Sequence, residues 1–130
     1  RDGRFLRIAE GCADYYIGHT PAHGIPPNDW DEPNPALPFE SSAAAIAASG
    51  MLNLSKLTSD AARTRRYRDY ALQILDTLTT PEFLAENAPG WEGILKHGMY
   101  HQRKGLGVDE SVMWGEYFFL EALSGVKDDE

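Results

Sequence analysis

The sequence of 130 residues is long enough for one small domain and carries a formal net charge of −8. With 42% hydrophobic and 25% charged residues, its composition excludes a disordered chain, and its acidity disfavours binding to nucleic acid or to a membrane surface. No apolar run reaches the roughly 20 residues of a transmembrane helix, and the single cysteine, Cys12, excludes an internal disulfide.

The first residues indicate a fragment of a longer protein. The sequence begins with Arg1, has no initiator methionine or signal-like stretch, and enters a helical pattern at about Arg4. The compartment of the parent protein, cytoplasmic or periplasmic, therefore stays open.

Hydrophobic periodicity predicts two helices with one apolar face each, at about residues 4–17 and 61–78. The face of the first contains Phe5, Ile8, Cys12 and Tyr16. A helix that is apolar on one face only is typical of an outer layer, with its other side in solvent.

The other two predicted helices, at about residues 42–57 and 110–123, are apolar on nearly all sides, which predicts burial on all sides. Gly50 and Gly115 lie inside them, and close helix–helix packing would offset their low helix propensity. Along the chain the order of the four helices is therefore outer, inner, outer, inner.

The connections between these helices differ in length. Residues 19–41 and 87–109 form long loops, whereas only residues 58–60 link the second helix to the third, and a short helix is predicted at residues 81–86. Antiparallel helices would bring both long loops to the end where the inner helices begin and where free N–H groups favour anions. This arrangement predicts part of an α/α barrel. A helical solenoid is the alternative, disfavoured because no repeat of roughly 34 or 40 residues is present.

Five segments, in this order along the chain, resemble the unsaturated glucuronyl hydrolases, glycoside hydrolase family 88. They are DWDEP at 29–33, FESSAAAIAASGML at 39–52, GILKHGMY at 93–100, GVDES at 107–111 and WGEYFFLEAL at 114–123. The resemblance implies an all-α fold, a six-fold α/α barrel of alternating outer and inner helices. Residues 1–130 would be about one third of that single catalytic domain, at its C-terminal end, with no second domain.

The resemblance also implies a reaction. Family members release a 4,5-unsaturated uronic acid from the oligosaccharides that polysaccharide lyases leave. An aspartic acid protonates the C4=C5 vinyl ether and helps water add at C5, and the hydrated sugar then opens and loses its aglycone. The family's catalytic aspartates lie in the first half of the full protein. We therefore expect no catalytic residue here, Asp31 and Asp109 included, and an inactive isolated chain.

Candidate substrate-binding residues lie in the two long loops. Tyr100 matches a family position that faces the sugar, Trp30 could stack on a sugar ring, and His97 could contact the substrate. Arg103 and Lys104 could meet a carboxylate or sulfate. Each aromatic residue has a structural alternative, because Tyr100 and Trp30 could pin their loops and His97 could bond a backbone carbonyl.

Other conspicuous residues favour structural roles. Glu40, Ser41 and Ser42 form an N-cap cluster, and Trp114 is predicted to lie in the core. His97 and His101 lack the context of a metal site, so neither a metal nor another cofactor is predicted. The expected partners are an unsaturated uronyl oligosaccharide and the missing N-terminal part of the barrel.

The choice of substrate stays open. Members that act on sulfated glycosaminoglycan fragments tend to carry serines and a lysine just after the tyrosine of this loop, whereas this sequence has HQRKGL at 101–106. Glycosaminoglycan, gellan and xanthan fragments are all compatible with it. Two alternative functions are an unsaturated rhamnogalacturonyl hydrolase with the same barrel and a non-enzymatic helical-hairpin module that binds a protein.

Overall fold

The computed structural model describes residues 2–31 and 39–127, so Pro33, Pro35 and Pro38 of the first long loop lie outside the described residues. Across the described ranges, no helix has the length and hydropathy that crossing a membrane requires. The elements are four α-helices, one 3-10 turn and two β-strands: α1 (Gly3–His19), α2 (Ser41–Ser55), α3 (Ala61–Leu78), β1 (Gly98–His101), η1 (Gln102–Lys104), β2 (Leu106–Glu110) and α4 (Met113–Lys127).

The helix α2 is the centre of the fold. It packs against both α3 and α4, and ten of its residues are buried. A Cβ on Gly115 of α4 would lie only 2.7 Å from the Cβ of Ser42, which confirms the predicted close packing at this glycine. At Gly50, no atom of another element among the described residues lies within 4 Å of such a Cβ, so these residues show no close packing at that glycine.

Ion pairs join the two outer helices. Arg63 of α3 lies 2.7 Å from the carboxylate of Glu10 in α1, and Arg66 lies 2.7 Å from Asp14. Glu10 also accepts a hydrogen bond from Thr58, in the short link before α3. These contacts hold α1 beside α3, in the predicted outer layer.

Only part of the burial predicted for the apolar faces of α1 and α4 is observed. Of the predicted face of α1, Tyr16 is buried, together with its neighbour Ala13, whereas Phe5 and Ile8 are exposed, with Phe5 at 72% of its full accessible area. In α4, Phe119 is buried, but an apolar stripe is exposed. We call Phe5, Ile8 and Cys12 the α1 face, and we call the exposed stripe of Met113, Tyr117, Leu120 and Leu123 the α4 face. Periodicity located both stripes, but the described residues supply no neighbour to cover them.

The region after α3 differs from the prediction. Residues 87–109 contain an antiparallel hairpin of β1 and β2, in which Met99 pairs with Val108 and His101 with Leu106. The predicted helix at 81–86 is wrong: this segment forms turns, and Leu84 bridges Leu95. Backbone bonds of 2.7 Å from Lys96 to Phe83 and from Ala85 to Ile94 use the groups that a helix would need.

Candidate functional site

Both long loops meet the start of α2 through the carboxylate of Glu40. Its oxygens accept hydrogen bonds from the backbone N–H groups of Ser42 (3.2 Å) and Ala43 (2.7 Å) and from the Ser42 hydroxyl (2.7 Å). The N–H of Met99 in β1 donates to the same carboxylate at 3.0 Å. The N-cap cluster is confirmed, and Glu40 itself is the cap.

This cap changes what the start of α2 can bind. We expected its free N–H groups to favour an external anion, but those of Ser42 and Ala43 already donate to Glu40. The N–H of Ser41 donates to the carbonyl of His97 at 3.0 Å. The helix start therefore anchors the loops, and ligand contacts must come from side chains around it.

The end of the helical layer where α2 begins and the two long loops meet is called the rim below. Tyr100 lies at this rim beside α4 and is 62% exposed. Its ring centre lies 5.6 Å from that of Trp114 at an interplanar angle of 63°. Trp114 is half-buried, which corrects the core assignment, and its Nε1 donates to the Ser42 hydroxyl at 2.9 Å. Across the hairpin Gly107 has φ +53°, and a Cβ there would approach the Cβ of Tyr100 to 2.9 Å. Trp114 and Gly107 thus fix where Tyr100 presents its ring.

His97 precedes β1 and pairs with a carboxylate. Its Nδ1 lies 2.5 Å from Oδ1 of Asp109 in β2, and its ring centre lies 5.8 Å from those of Phe83 and Trp91. The side chain does not bond a carbonyl as the structural alternative supposed; instead its own carbonyl accepts from Ser41. Asp109 is the partner that the sequence analysis missed.

A polar cleft of about 360 Å³ lies beside this pair. Trp91, Glu92, Asp109 and Ser111 line it, and Gly93 forms part of its wall. Gly93 has no room for a side chain, because a Cβ would overlap Ser111 and Glu116. Close backbone packing therefore shapes this side of the rim.

Trp30 lies against α1, whereas Tyr100 lies against α4. The ring centre of Trp30 is 5.4 Å from that of Tyr15, 5.9 Å from Tyr16 and 6.5 Å from His19, all with edge contacts. Trp30 remains partly exposed, so it both pins its loop and offers a ring surface. Asp31 donates its N–H to the carboxylate of Asp29, a contact that braces this loop.

The cationic residues lie at the tip of the hairpin. Arg103 and Lys104 form part of the exposed 3-10 turn η1, which ends at Gly105 in the left-handed conformation. The neighbouring Gln102 accepts a hydrogen bond of 2.9 Å from Asn28 of the first long loop. This bond joins the loop of Trp30 to the turn that carries both cations.

Beneath Trp30, tyrosine hydroxyls are held protonated. Burial raises the pKa of Tyr16, and the nearby Tyr70 and Glu40 raise it further; its hydroxyl donates to the carbonyl of Gly24 at 2.9 Å. Burial also raises the pKa of Tyr70. The Tyr16 phenol supports the loop, and neither phenol is a good proton donor or acceptor near neutral pH.

Metal ligands are not assembled at the rim. Within residues 2–31 and 39–127, no three or more His, Cys, Asp or Glu side chains are grouped in a way that could hold a metal ion.

No family model matches the chain, but the sequence and structure comparisons both find unsaturated glucuronyl hydrolases as its relatives. An unsaturated glucuronyl hydrolase of Formosa agariphila is 32% identical over 123 residues, which are 92% of this chain and 30% of that protein. The crystal structure of an unsaturated glucuronyl hydrolase specific for heparin superposes with a TM-score of 0.89 at 34% identity, over 98% of this chain and 34% of the other. For the glycosaminoglycan-degrading enzyme of Bacillus sp. GL1 the TM-score is 0.88 at 28% identity, with the same coverage.

The layered helices are therefore part of an α/α barrel, as predicted. Sequence and structure agree in relating the chain to one group of proteins with this fold. The chain is homologous to the C-terminal portion of the unsaturated glucuronyl hydrolases and spans about one third of their length.

Proposed function

We propose that the chain is the C-terminal third of an unsaturated glucuronyl hydrolase. The parent enzyme would release 4,5-unsaturated uronic acid from lyase-generated oligosaccharides by hydrating the vinyl ether. The observation that carries this proposal is the superposition of nearly the whole chain, with its loops in order, on solved members of the group. The isolated chain would be inactive, because the resemblance assigns the catalytic aspartates to the first half of the enzyme.

The chain would contribute part of the sugar-binding rim. Tyr100 is exposed and held by Trp114, so its ring is preorganised for contact with a sugar face or hydroxyl. His97 lies three residues before Tyr100, and its carbonyl accepts a hydrogen bond from Ser41 at the start of α2. Trp30 would offer a second aromatic surface further along the rim, against α1.

The cations at the hairpin tip would meet acidic groups of the substrate. Arg103 and Lys104 are exposed on a turn that Asn28 ties to the first loop, so their position is fixed although their side chains are in solvent. An oligosaccharide that bears carboxylates or sulfates beyond its unsaturated end would be attracted to them.

The rest of the barrel would complete the protein. The α1 face and the α4 face are apolar and exposed, and the two helices that carry them each pack against α2. In a closed barrel each would be covered by a neighbouring helix from the missing N-terminal portion. A free-standing binding module would instead be expected to melt cooperatively as a monomer.

The test is a chimera. The matching segment of the Formosa agariphila enzyme is replaced by this chain, and hydrolysis is followed by loss of the absorbance of the C4=C5 double bond. Unsaturated disaccharides from glycosaminoglycan, gellan, xanthan and rhamnogalacturonan form the substrate panel. We expect activity on a glucuronyl substrate. A folded but inactive chimera, or one that accepts only the rhamnogalacturonan product, would contradict the proposal.

The rim assignment is tested within that chimera. Tyr100→Phe and His97→Ala should each lower kcat/KM by roughly tenfold or more, as expected on loss of one hydrogen bond to a bound substrate. Asp69→Asn, a change on the exposed side of α3, is the control and should leave kcat/KM within about twofold. Unchanged kinetics in both rim variants would remove Tyr100 and His97 from the site.

A further inference from the structure

We propose that Asp109 is a positioning residue that fixes which nitrogen of His97 carries the proton, leaving the other nitrogen to accept a hydrogen bond from a sugar hydroxyl. The identity of the ligand rests on the proposed function, whereas the effect on the imidazole does not. Asp109 would touch His97 and not the substrate.

The first argument is the irregular pairing of the hairpin. Gly98 lies opposite Glu110 and Met99 lies opposite Val108, so Asp109 is an extra residue on β2, a β-bulge. Its φ of +58° is left-handed, a conformation that bulges of this kind normally give to glycine. A bulge turns one side chain away from the regular alternation of the strand, and here that side chain is the carboxylate that meets His97.

The second argument is that His97 is also left-handed, with φ +64°. Its carbonyl is held by the N–H of Ser41, and its ring lies between the edges of Phe83 and Trp91. Two residues that are not glycine thus adopt an unfavourable backbone conformation at either side of one contact of 2.5 Å. Backbone strain that is maintained by its surroundings is typical of functional sites.

The third argument is chemical. An ionised carboxylate only accepts hydrogen bonds, so the Nδ1 that faces Asp109 must carry the hydrogen. The Nε2 is then an acceptor when the ring is neutral and a donor when the ring is charged. Without Asp109 nothing among these contacts would fix the tautomer, and His97 could present either nitrogen state to a ligand.

If the pair only tied β2 to the start of β1, loss of the carboxylate would not change which nitrogen of His97 carries the proton. Asp109→Gly tests this, because glycine adopts the left-handed conformation of the bulge without strain and removes only the carboxylate. Asp109→Asn is the matched variant that keeps the tie. Asparagine also tolerates this conformation, but its amide can either accept from Nδ1 or donate to it, so it does not fix the tautomer.

The readout is solid-state NMR of the ¹⁵N-histidine-labelled chain, which reports imidazole tautomers whether the protein is monomeric or associated. His97→Gln identifies the His97 signals. In spectra recorded at a pH at which the ring is uncharged, we expect the proton of His97 on Nδ1 in the wild type and a larger fraction of Nε2–H in both Asp109→Gly and Asp109→Asn. A wild-type ring with its proton on Nε2, or an Asp109→Gly variant with an unchanged tautomer, would overturn the proposal.

The chimera separates this inference from the proposed function. There, Asp109→Gly should raise KM roughly tenfold, the effect of about one lost hydrogen bond to the ligand, and Asp109→Asn should raise KM as well although it keeps the tie to His97. A tautomer change without an effect on KM would overturn the sugar-binding role of His97. An inactive wild-type chimera would overturn the proposed function but leave the tautomer result intact.

Discussion

Gly115 and Ser42 bring α4 and α2 into backbone contact: a Cβ on the glycine would lie 2.7 Å from the serine Cβ and 3.0 Å from its Cα. The same serine hydroxyl receives the indole N–H of Trp114 and donates to Glu40. The spacing between α2 and α4 therefore sets the position of the Tyr100–Trp114 pair at the rim.

Gly115→Ala should destabilise the fold although alanine is the better helix former. The new methyl group would force α4 away from α2, and overpacking of this kind costs about 1–3 kcal/mol. Gly50→Ala is the matched control: open space surrounds it, so it should stabilise the protein by about 0.5–1 kcal/mol. Urea unfolding measures both, and equal shifts of the two midpoints would contradict the close contact at Gly115.

Glu40→Ala should destabilise the chain by at least about 2 kcal/mol, because one substitution uncaps α2 and frees the N–H of Met99. Glu40→Gln, which keeps one acceptor oxygen, should cause a smaller loss. Asp60→Ala removes a cap that serves α3 alone and should have less effect than Glu40→Ala. If denaturant unfolding ranks Asp60→Ala as the more damaging change, the hairpin contact of Glu40 contributes nothing.

Stability should fall at alkaline pH partly through Tyr16. Its pKa is raised in the folded chain, mainly by burial, so the protonated form that folding requires becomes unfavourable once pH exceeds the ordinary tyrosine value of 10.0. The stabilisation that Tyr16 contributes is complete below the ordinary tyrosine pKa of 10.0 and is lost as the pH rises above it. In Tyr16→Phe the free energy of unfolding should decline less steeply between roughly pH 9 and 11. A Tyr16→Phe slope identical to that of the wild type would refute this explanation.

The exposed α4 face should make the isolated chain self-associate. Leu120 is 49% exposed within that face, and Leu120→Glu should shift the sedimentation coefficient towards that of a monomer. Leu57, which is 44% exposed at the end of α2 and outside both faces, supplies the control Leu57→Glu. Sedimentation of the wild type as a monomer at all concentrations would show that the face does not drive association.

The sequence predicted α3 with the observed bounds, because Asp60 caps its start and one regular apolar face runs to Leu78. The hairpin was not predicted, because its glycines are typical of loops and its pairing depends on left-handed residues such as Asp109, whose type does not demand that conformation. Periodicity likewise identified the stripe of Phe5 and Ile8 but carries no information on what covers it. At the site, Tyr100 and His97 were named from the sequence, and their roles remain predictions. The partnership of His97 with Asp109 depends on a bulge and could not be anticipated.

Because one carboxylate, that of Glu40, holds both the first turn of α2 and the N–H of Met99, the rim hairpin is not an independent appendage. Local opening of the hairpin would leave an innermost helix of the barrel without part of its cap. Mutations that reshape the hairpin for a new substrate therefore have to preserve the path of its backbone past Glu40. Natural variation in specificity should accumulate at the tip, around Arg103 and Lys104, which is tied to the first long loop through Gln102 and not to Glu40.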